Sequence, residues 1–295
     1  MSHFGETEAF FPESFLPEAS LSRMPDEDAL RLDGYEIALA ESISEQPKPI
    51  LRVIGDPRMR FIEDPLRILR GCKLASVHGL FIDPATLHAM KTHKMRLVNV
   101  PIERIVEEVQ ALLLGDYVHD TLMQTVDVLV AVLPEIAACR NFEQLTPYHI
   151  YDVWEHIAWV VQYCPAEPLI RWAALLHDIG KPSAGFVDGG RAHFYGHAAL
   201  SRILAKNVVE RFGFEPAFAD KVLTLVWMHD DTIAATPSEV KAALSQMNGD
   251  VDLFRTLCKL KRADALSQSE LAQPRLQLAA DLERVLDELE NAPKP

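Results

Sequence analysis

The chain has 295 residues, 48% of them hydrophobic, enough to bury one large core or two smaller ones. Its 43 acidic side chains outnumber 29 basic ones for a net charge of −14, which argues against broad adhesion to nucleic acid but leaves room for a local basic strip or a small phosphate substrate. No apolar run approaches the ~18 residues of a membrane span, the N-terminus lacks the order of a secretory signal, and Cys72, Cys139, Cys164 and Cys258 lack chelating spacing, so reduced thiols in a cytoplasmic protein are expected.

Residues 1–49 carry several prolines and mixed charges without periodicity, and read as an irregular arm with room for one short helix. Regular structure is expected from Ile50. Asp64-Pro65 reads as an N-cap with proline at the first helical position, opening a helix that ends at Gly79; Asp83-Pro84 repeats the device. Further helical patterns cover about 101–114, 118–136, 150–163, 167–177, 197–212, 215–229, 237–247, 250–268 and 273–290. Apolar residues recur in them at helical spacing, as in Leu253, Leu257 and Leu260. The one good strand signal is FVDGGRAHF, two short arms about Asp188-Gly189-Gly190. The expected fold is all-α: a helical neck or body over 50–145, a helical bundle with one hairpin over 146–270, and a C-terminal helix and tail over 271–295.

The stretch LLHDIGKP, residues 175–182, ends the most apolar helix with a His-Asp pair. Histidine, glycine and proline also suit a plain helix C-terminus, so the company of the pair has to decide. His149 and His156 stand seven apart, two turns along one helical face. Ile170, Ala173 and His177 share a face, His197 begins one helix, and His229-Asp230 end another. Asp264 continues the Leu253–Leu257–Leu260 stripe, and a carboxylate there is costly to bury unless it is hydrogen-bonded or binds a cation. Imidazoles and carboxylates on converging helices house a divalent ion. The candidate ligands are His156, His177, Asp178 and Asp264, with Asp230 as fallback for Asp264. His193 reads as a lid or hairpin residue, Asp231 as a helix-end charge and His149 as a backbone partner.

The order H…HD…D, with HDIGK spelled out, resembles the HD-domain metal-dependent phosphohydrolases. That resemblance implies that His156, His177, Asp178 and Asp264 hold one metal, that His197 and His229 bind a second with Asp178 bridging, and that Lys181 neutralises substrate phosphate. His177, Asp178 and Lys181 would be the catalytic group. Imidazole favours Fe, Co, Ni or Zn and carboxylate accepts Mg or Mn, so one or two divalent ions of these kinds are expected.

The stretches ILRVIGDPRMRFIEDPLRILRGCKLASVHGLFIDPATL and PIERIVEEVQALLLG resemble the neck of the bacterial class II tRNA nucleotidyltransferases and poly(A) polymerases. With TPYHIYDVWEH and HFYGH, the resemblance runs over about residues 50–270. It implies that Glu63, Asp64 and Arg67 hydrogen-bond an incoming nucleotide; on the residues alone, Glu63 and Asp64 equally suit a helix start. Arg67, Arg70 and Lys73 recur every three residues, a basic strip for RNA or a solvated face. The family's nucleotidyltransferase head has a Gly-Gly or Gly-Ser turn before an Asp-x-Asp pair. Asp26-Glu27-Asp28 fits that pair formally, but no such turn precedes it, so nucleotide addition by the chain alone is not expected.

The expected function is hydrolysis of a phosphate ester of a nucleotide or RNA end, tRNA included, as a phosphatase, 2′-nucleotidase or 2′,3′-cyclic phosphodiesterase, with no membrane partner and the oligomeric state open. The alternatives are an RNA-binding protein with a non-catalytic HD scaffold, and nucleotidyl transfer with a head supplied in trans.

Overall fold

The computed structural model describes residues 31–32, 34–39 and 49–291; the Asp26-Glu27-Asp28 triplet lies outside them. The described chain is essentially all-α, with one small sheet at the start of the neck and one hairpin in the second block. That sheet corrects two expectations, an irregular arm through residue 49 and a single strand signal. Strand β1 (Arg31–Leu32) turns at Gly34, φ +85°, into β2 (Tyr35–Leu39), which pairs antiparallel with β3 (Pro49–Val53). β4 (Phe81–Ile82) then adds in parallel to β3. The strands are too short for alternation to mark them clearly, and β3 and β4 pair across about thirty residues of sequence. Tyr35 is fully buried and its hydroxyl donates to the carbonyl of Arg67 at 2.6 Å, tying the sheet to the neck.

Helix α1 (Pro57–Glu63) starts on Asp56, whose carboxylate accepts the Arg58 N–H. Helix α2 is Arg67–His78 and ends at Gly79 in the left-handed conformation. Its start differs from expectation: Pro65 and Leu66 form a turn, and Asp64 Oδ1 accepts the Leu66 N–H at 3.1 Å rather than capping the helix directly. Asp83 caps α3 (Pro84–His93) as its sequence says, accepting from Thr86 N–H at 3.0 Å. α4 (Ile102–Leu113) and α5 (Val118–Leu129) complete the neck. The helix expected over 118–136 stops early because Pro134, lacking an N–H, starts a 3₁₀ segment instead.

The second block comprises α6 (Val153–Tyr163), α7 (Pro168–Leu176), the short α8 (Lys181–Ala184), a hairpin of β5 (Phe186–Asp188) and β6 (Arg191–His193), then α9 (His197–Arg211), α10 (Pro216–Met228), α11 (Pro237–Gln246), α12 (Val251–Leu266) and α13 (Gln273–Asn291). Asp152 caps α6 by accepting the Glu155 N–H at 2.7 Å, so the helix begins three residues later than expected and His149 sits in the preceding loop, not on the face of His156.

One apolar core runs through both blocks, from Phe61, Ile68 and Leu112 to Trp154, Trp172 and Leu257. Arg171 fastens them: its buried guanidinium donates to the carbonyl of Leu113 at the end of α4 (2.9 Å) and to those of Cys164 and Pro165. A cation at a helix C-terminus satisfies carbonyls that would otherwise be orphaned. All four cysteines are free and buried, and burial pushes each thiol up to about 12. No helix among the described residues is long and apolar enough to cross a membrane.

Candidate metal centre

Five helices bring their polar residues to one point inside the second block. His156 comes from the first turn of α6, His177 caps α7, His197 opens α9, His229 caps α10 and Asp264 lies near the end of α12. Asp178 follows His177 and is 1% exposed.

The orientation of each ring is set by its Nδ1. His177 Nδ1–H donates to the carbonyl of Ala174 at 2.7 Å, His197 to that of Phe194 at 2.9 Å, and His229 to that of Val226 at 2.8 Å. His156 Nδ1 lies 2.9 Å from Ser267 Oγ, whose own proton goes to the Asp264 carbonyl, so the hydroxyl accepts from the imidazole. A carbonyl can only accept; the proton is therefore on Nδ1 and the Nε2 lone pair points inward. Those lone pairs converge: His156 Nε2 and His177 Nε2 are 3.4 Å apart, His197 Nε2 and His229 Nε2 3.1 Å apart.

The Asp178 carboxylate stands between the two pairs. Its Oδ2 is 3.2 Å from both His156 Nε2 and His177 Nε2, and its Oδ1 is 3.2 Å from His197 Nε2 and 3.4 Å from His229 Nε2. His156, His177 and Asp178 form one group with ligand atoms all within 4.8 Å of one another, and Asp178, His197 and His229 form another. Asp264 meets the first group through His156 alone, Oδ1 to Nε2 at 3.1 Å, with the Gln268 amide donating to the same oxygen at 3.0 Å. Asp230 is 54% exposed and approaches only the outer nitrogen of His197, at 3.9 Å, so it does not join the cluster.

Acceptors packed against acceptors repel, and Asp178 Oδ1 has no hydrogen-bond donor although it is buried. Nitrogen and carboxylate oxygen in this mixture are the donor set of a divalent ion, and the two groups around one shared carboxylate fit one ion each. Without a cation, protons take its place. Burial opposes a charge on His156 and on His197, but the adjoining Asp178 carboxylate, and for His156 also Asp264, outweighs it and raises both imidazoles. Burial lowers His229. Burial would raise Asp264, yet His156 and His177 hold it far below the usual carboxylate range.

Three neighbours that the sequence did not mark complete the centre. Gly180 lets α9 approach: a Cβ there would lie 2.4 Å from Ser201 N and 2.6 Å from the His197 carbonyl, and the Gly180 N–H donates to Ser201 Oγ at 2.9 Å. Lys261, one turn before Asp264 on α12, donates to the carbonyls of His229 (2.6 Å) and Asp231 (2.8 Å), clamping the end of α10. Gln144, 1% exposed, accepts from Lys181 Nζ at 2.8 Å. It is held inward beside Leu145, which adopts φ +43°, a conformation a leucine reaches only under constraint.

The neck residues singled out in the sequence lie in ion pairs. Glu63 pairs with Arg60 at 2.9 Å, and Asp64 Oδ2 lies 3.6 Å from Arg67 and 3.1 Å from Arg70. Arg70 also reaches the largely buried Glu108 at 3.3 Å, which Lys73 meets at 2.9 Å. The expected basic strip is thus threaded with acids. A cleft of about 430 Å³ lined by Gln110, Phe212, Phe214 and Phe218 lies at the far end of α9 from His197, away from the metal centre.

A helical neck leading into a bundle whose histidines and aspartates converge around one buried carboxylate defines an HD-domain protein. Known proteins agree with that class: residues 147–269 match the HD domain, and residues 79–140 match the family described as "Probable RNA and SrmB- binding site of polymerase A". Among curated relatives, an A-adding tRNA nucleotidyltransferase of Deinococcus radiodurans is 28% identical over 263 residues, covering 83% of this chain and 59% of the relative. A CC-adding tRNA nucleotidyltransferase of Thermus thermophilus is 31% identical over 240 residues, 76% of this chain and 54% of the relative. The crystal structure of the Bacillus stearothermophilus CCA-adding enzyme in complex with CTP shares the fold, with a TM-score of 0.55 at 16% identity over 81% of this chain and 51% of that one. The chain thus spans about half the length of the curated relatives it matches. Over its neck and HD region it belongs to the class II tRNA nucleotidyltransferase-like proteins.

Proposed function

We propose that the chain hydrolyses a phosphate ester of a nucleotide or RNA end at the centre around Asp178. The observation that carries this reading is the shared carboxylate, with one oxygen turned to each histidine pair. His156, His177 and Asp178, with Asp264 beside the inward nitrogen of His156, would hold one divalent ion, and Asp178, His197 and His229 a second. Such ions polarise phosphoryl oxygens and make water a nucleophile near neutral pH. The imidazole-rich set favours Fe, Co, Ni or Zn, and the carboxylates accept Mg or Mn. Lys181 supplies a fixed positive charge beside them, suited to the charge a phosphate brings.

A second reading has its own support. The relatives named above are tRNA nucleotidyltransferases, and residues 79–140 match an RNA-binding family. On that reading the chain serves transfer with a nucleotidyltransferase head acting in trans, and Glu63, Asp64, Arg67 and Arg70 exchange their mutual ion pairs for contacts to nucleotide or tRNA. Either task places the protein where tRNA and nucleotides are, in the cytoplasm.

One experiment separates the readings. The metal content of the purified protein is measured, and linear and cyclic nucleotide phosphates are offered with Mg, Mn, Co and Ni. In parallel, tRNA is incubated with CTP and ATP, with and without a separately expressed head. Metal-dependent phosphate release is the result expected. Extension of tRNA only when the head is added, without phosphate release, supports the second reading, and neither product reduces the HD block to a scaffold.

A further inference from the structure

We infer that the solvent-facing rings of the β5–β6 hairpin form a nucleobase subsite beside the metal centre; the inference rests on the phosphate-ester reading above. Phe186 and His193 stand directly opposite each other in the hairpin register, and their rings stack with centroids 5.3 Å apart and planes 25° apart. Tyr195, two residues further, stacks on His193 at 5.5 Å and 24° and reaches Phe186 at 6.0 Å. Three rings therefore share one face.

The alternate residues turn the other way. Ala192 is buried, the Phe194 ring packs 5.5 Å from Lys181 Nζ, and the Phe194 carbonyl takes the Nδ1 proton of His197. The segment 192–195 thus has one side built into the metal centre and the other lying along its rim. On that rim Phe186 is 50% exposed and Tyr195 76% exposed.

A hairpin gains from one cross-strand aromatic pair, and Phe186 with His193 supplies it. Tyr195 lies past the last paired residue, so the hairpin does not require its ring. An aromatic cluster left open to water next to a buried polar site marks a surface made for a ligand. The chemistry that matches it is a nucleobase: every base offers a π-face to an aromatic ring, whatever its hydrogen-bonding edge. In a nucleotide the base stands one ribose away from the phosphate, and here the rings stand beside Phe194, the residue touching both Lys181 and His197. The cluster offers chiefly ring faces, and stacking is tolerant of base identity, so the subsite separates nucleotides from simple sugar phosphates without choosing strongly among bases.

The test uses the metal-loaded full chain. Adenosine 2′-monophosphate, ribose 5-phosphate, inorganic phosphate and a short RNA ending in a 2′-phosphate are titrated by calorimetry into wild type, Tyr195→Ala and Tyr195→Trp, and phosphate release is followed in the same samples. Wild type is expected to bind the nucleotide ~10-fold more tightly than ribose 5-phosphate. Tyr195→Ala should abolish that margin while leaving inorganic phosphate unchanged, and Tyr195→Trp should restore it. A Tyr195-dependent margin larger for the RNA assigns the base to an RNA end, and one no larger assigns it to a free nucleotide. Equal affinity of wild type for nucleotide and ribose 5-phosphate, an intact margin in Tyr195→Ala, or no binding of either ligand overturns the subsite. Tyr195-dependent nucleotide binding without phosphate release keeps the subsite and removes the hydrolase reading. Phosphate release from sugar phosphate and nucleotide alike, insensitive to Tyr195, removes the subsite and keeps the hydrolase.

Discussion

Lys181 Nζ lies 2.6 Å from Asp178 Oδ2, and the two side chains are 6% and 1% exposed. The contact joins the last residue of the HDIGK stretch, which opens α8, to the carboxylate that both histidine pairs face. Burial by itself would raise Asp178, but His177, Lys181 and the imidazole hydrogen bonds hold it well below the usual carboxylate range. The Asp178 carboxylate therefore stays ionised through the whole neutral range, while the protons favoured on His156 and His197 must leave when a cation binds.

That charge makes Asp178 the position on which the proposed function turns. Asn is nearly isosteric but neutral, so Asp178→Asn should keep the helical fold by circular dichroism while losing bound metal. Phosphate release at neutral pH should fall by orders of magnitude. A variant with full metal content and full activity would take Asp178 out of the mechanism.

Gly180 is constrained by space, not by backbone angle, since its φ of −84° suits any residue. Gly180→Ala should drive α9 away from the HDIGK turn and carry His197 with it, at a cost of about 1–3 kcal/mol. Ser201→Ala removes only the acceptor of the Gly180 N–H and should cost about 1 kcal/mol. Urea unfolding measures the two costs, and metal titration should show Gly180→Ala losing one equivalent while Ser201→Ala keeps both. Equal behaviour of the two variants would show that the close approach does not set the position of His197.

His149 should stay neutral at every pH at which the metal-free protein is folded. Burial and the charges of Lys181 and His156 lower it to about 2, and its Nε2 faces the Lys181 ammonium at 3.3 Å. In the unfolded chain it titrates near ~6.5. Between those values the unfolded state binds a proton that the folded state does not, so this group leaves stability intact above ~6.5 and removes it progressively as pH falls. The His149 Cε1–H resonance should not move between pH 8 and 5, and His149→Gln should flatten the acid side of the stability curve. A midpoint for His149 near its ordinary value would refute the assignment.

Arg70 bridges Asp64 and Glu108 across the neck. Arg70→Ala leaves the largely buried Glu108 to Lys73 and should destabilise the protein by about 1–2 kcal/mol, given that the arginine is itself 24% exposed. If Arg70 also contacts RNA, tRNA affinity should fall more steeply at low salt than at high, with the salt slope reduced by about one. A loss of stability with an unchanged slope assigns Arg70 to the ion-pair network alone.

Much of this architecture depends on interactions within a few residues along the chain, and those were legible in the sequence. The Asp83-Pro84 start, the Gly79 stop and the helical runs of the second block each depend on contacts between i and i+4 at most, and each stands within a few residues of its expected place. The histidines and aspartates of the centre were legible too, because ligand chemistry restricts residue type. What only the tertiary structure decided were the long-range relations. β2 pairs with β3 across a stretch with no periodic signal of its own. Asp64 and Arg70 are occupied by each other and by Glu108 on another helix, so a strip of basic letters is not a free basic surface. His149 left the helix of His156 because Asp152 caps that helix after it, and it turned instead to Lys181. Gly180, Lys261 and Gln144 act through a backbone or side chain 21 to 37 residues away. A sequence states which groups are present and which local hydrogen bonds they can close. Which charges meet, and which lone pairs come to face one another, is settled only when distant helices pack.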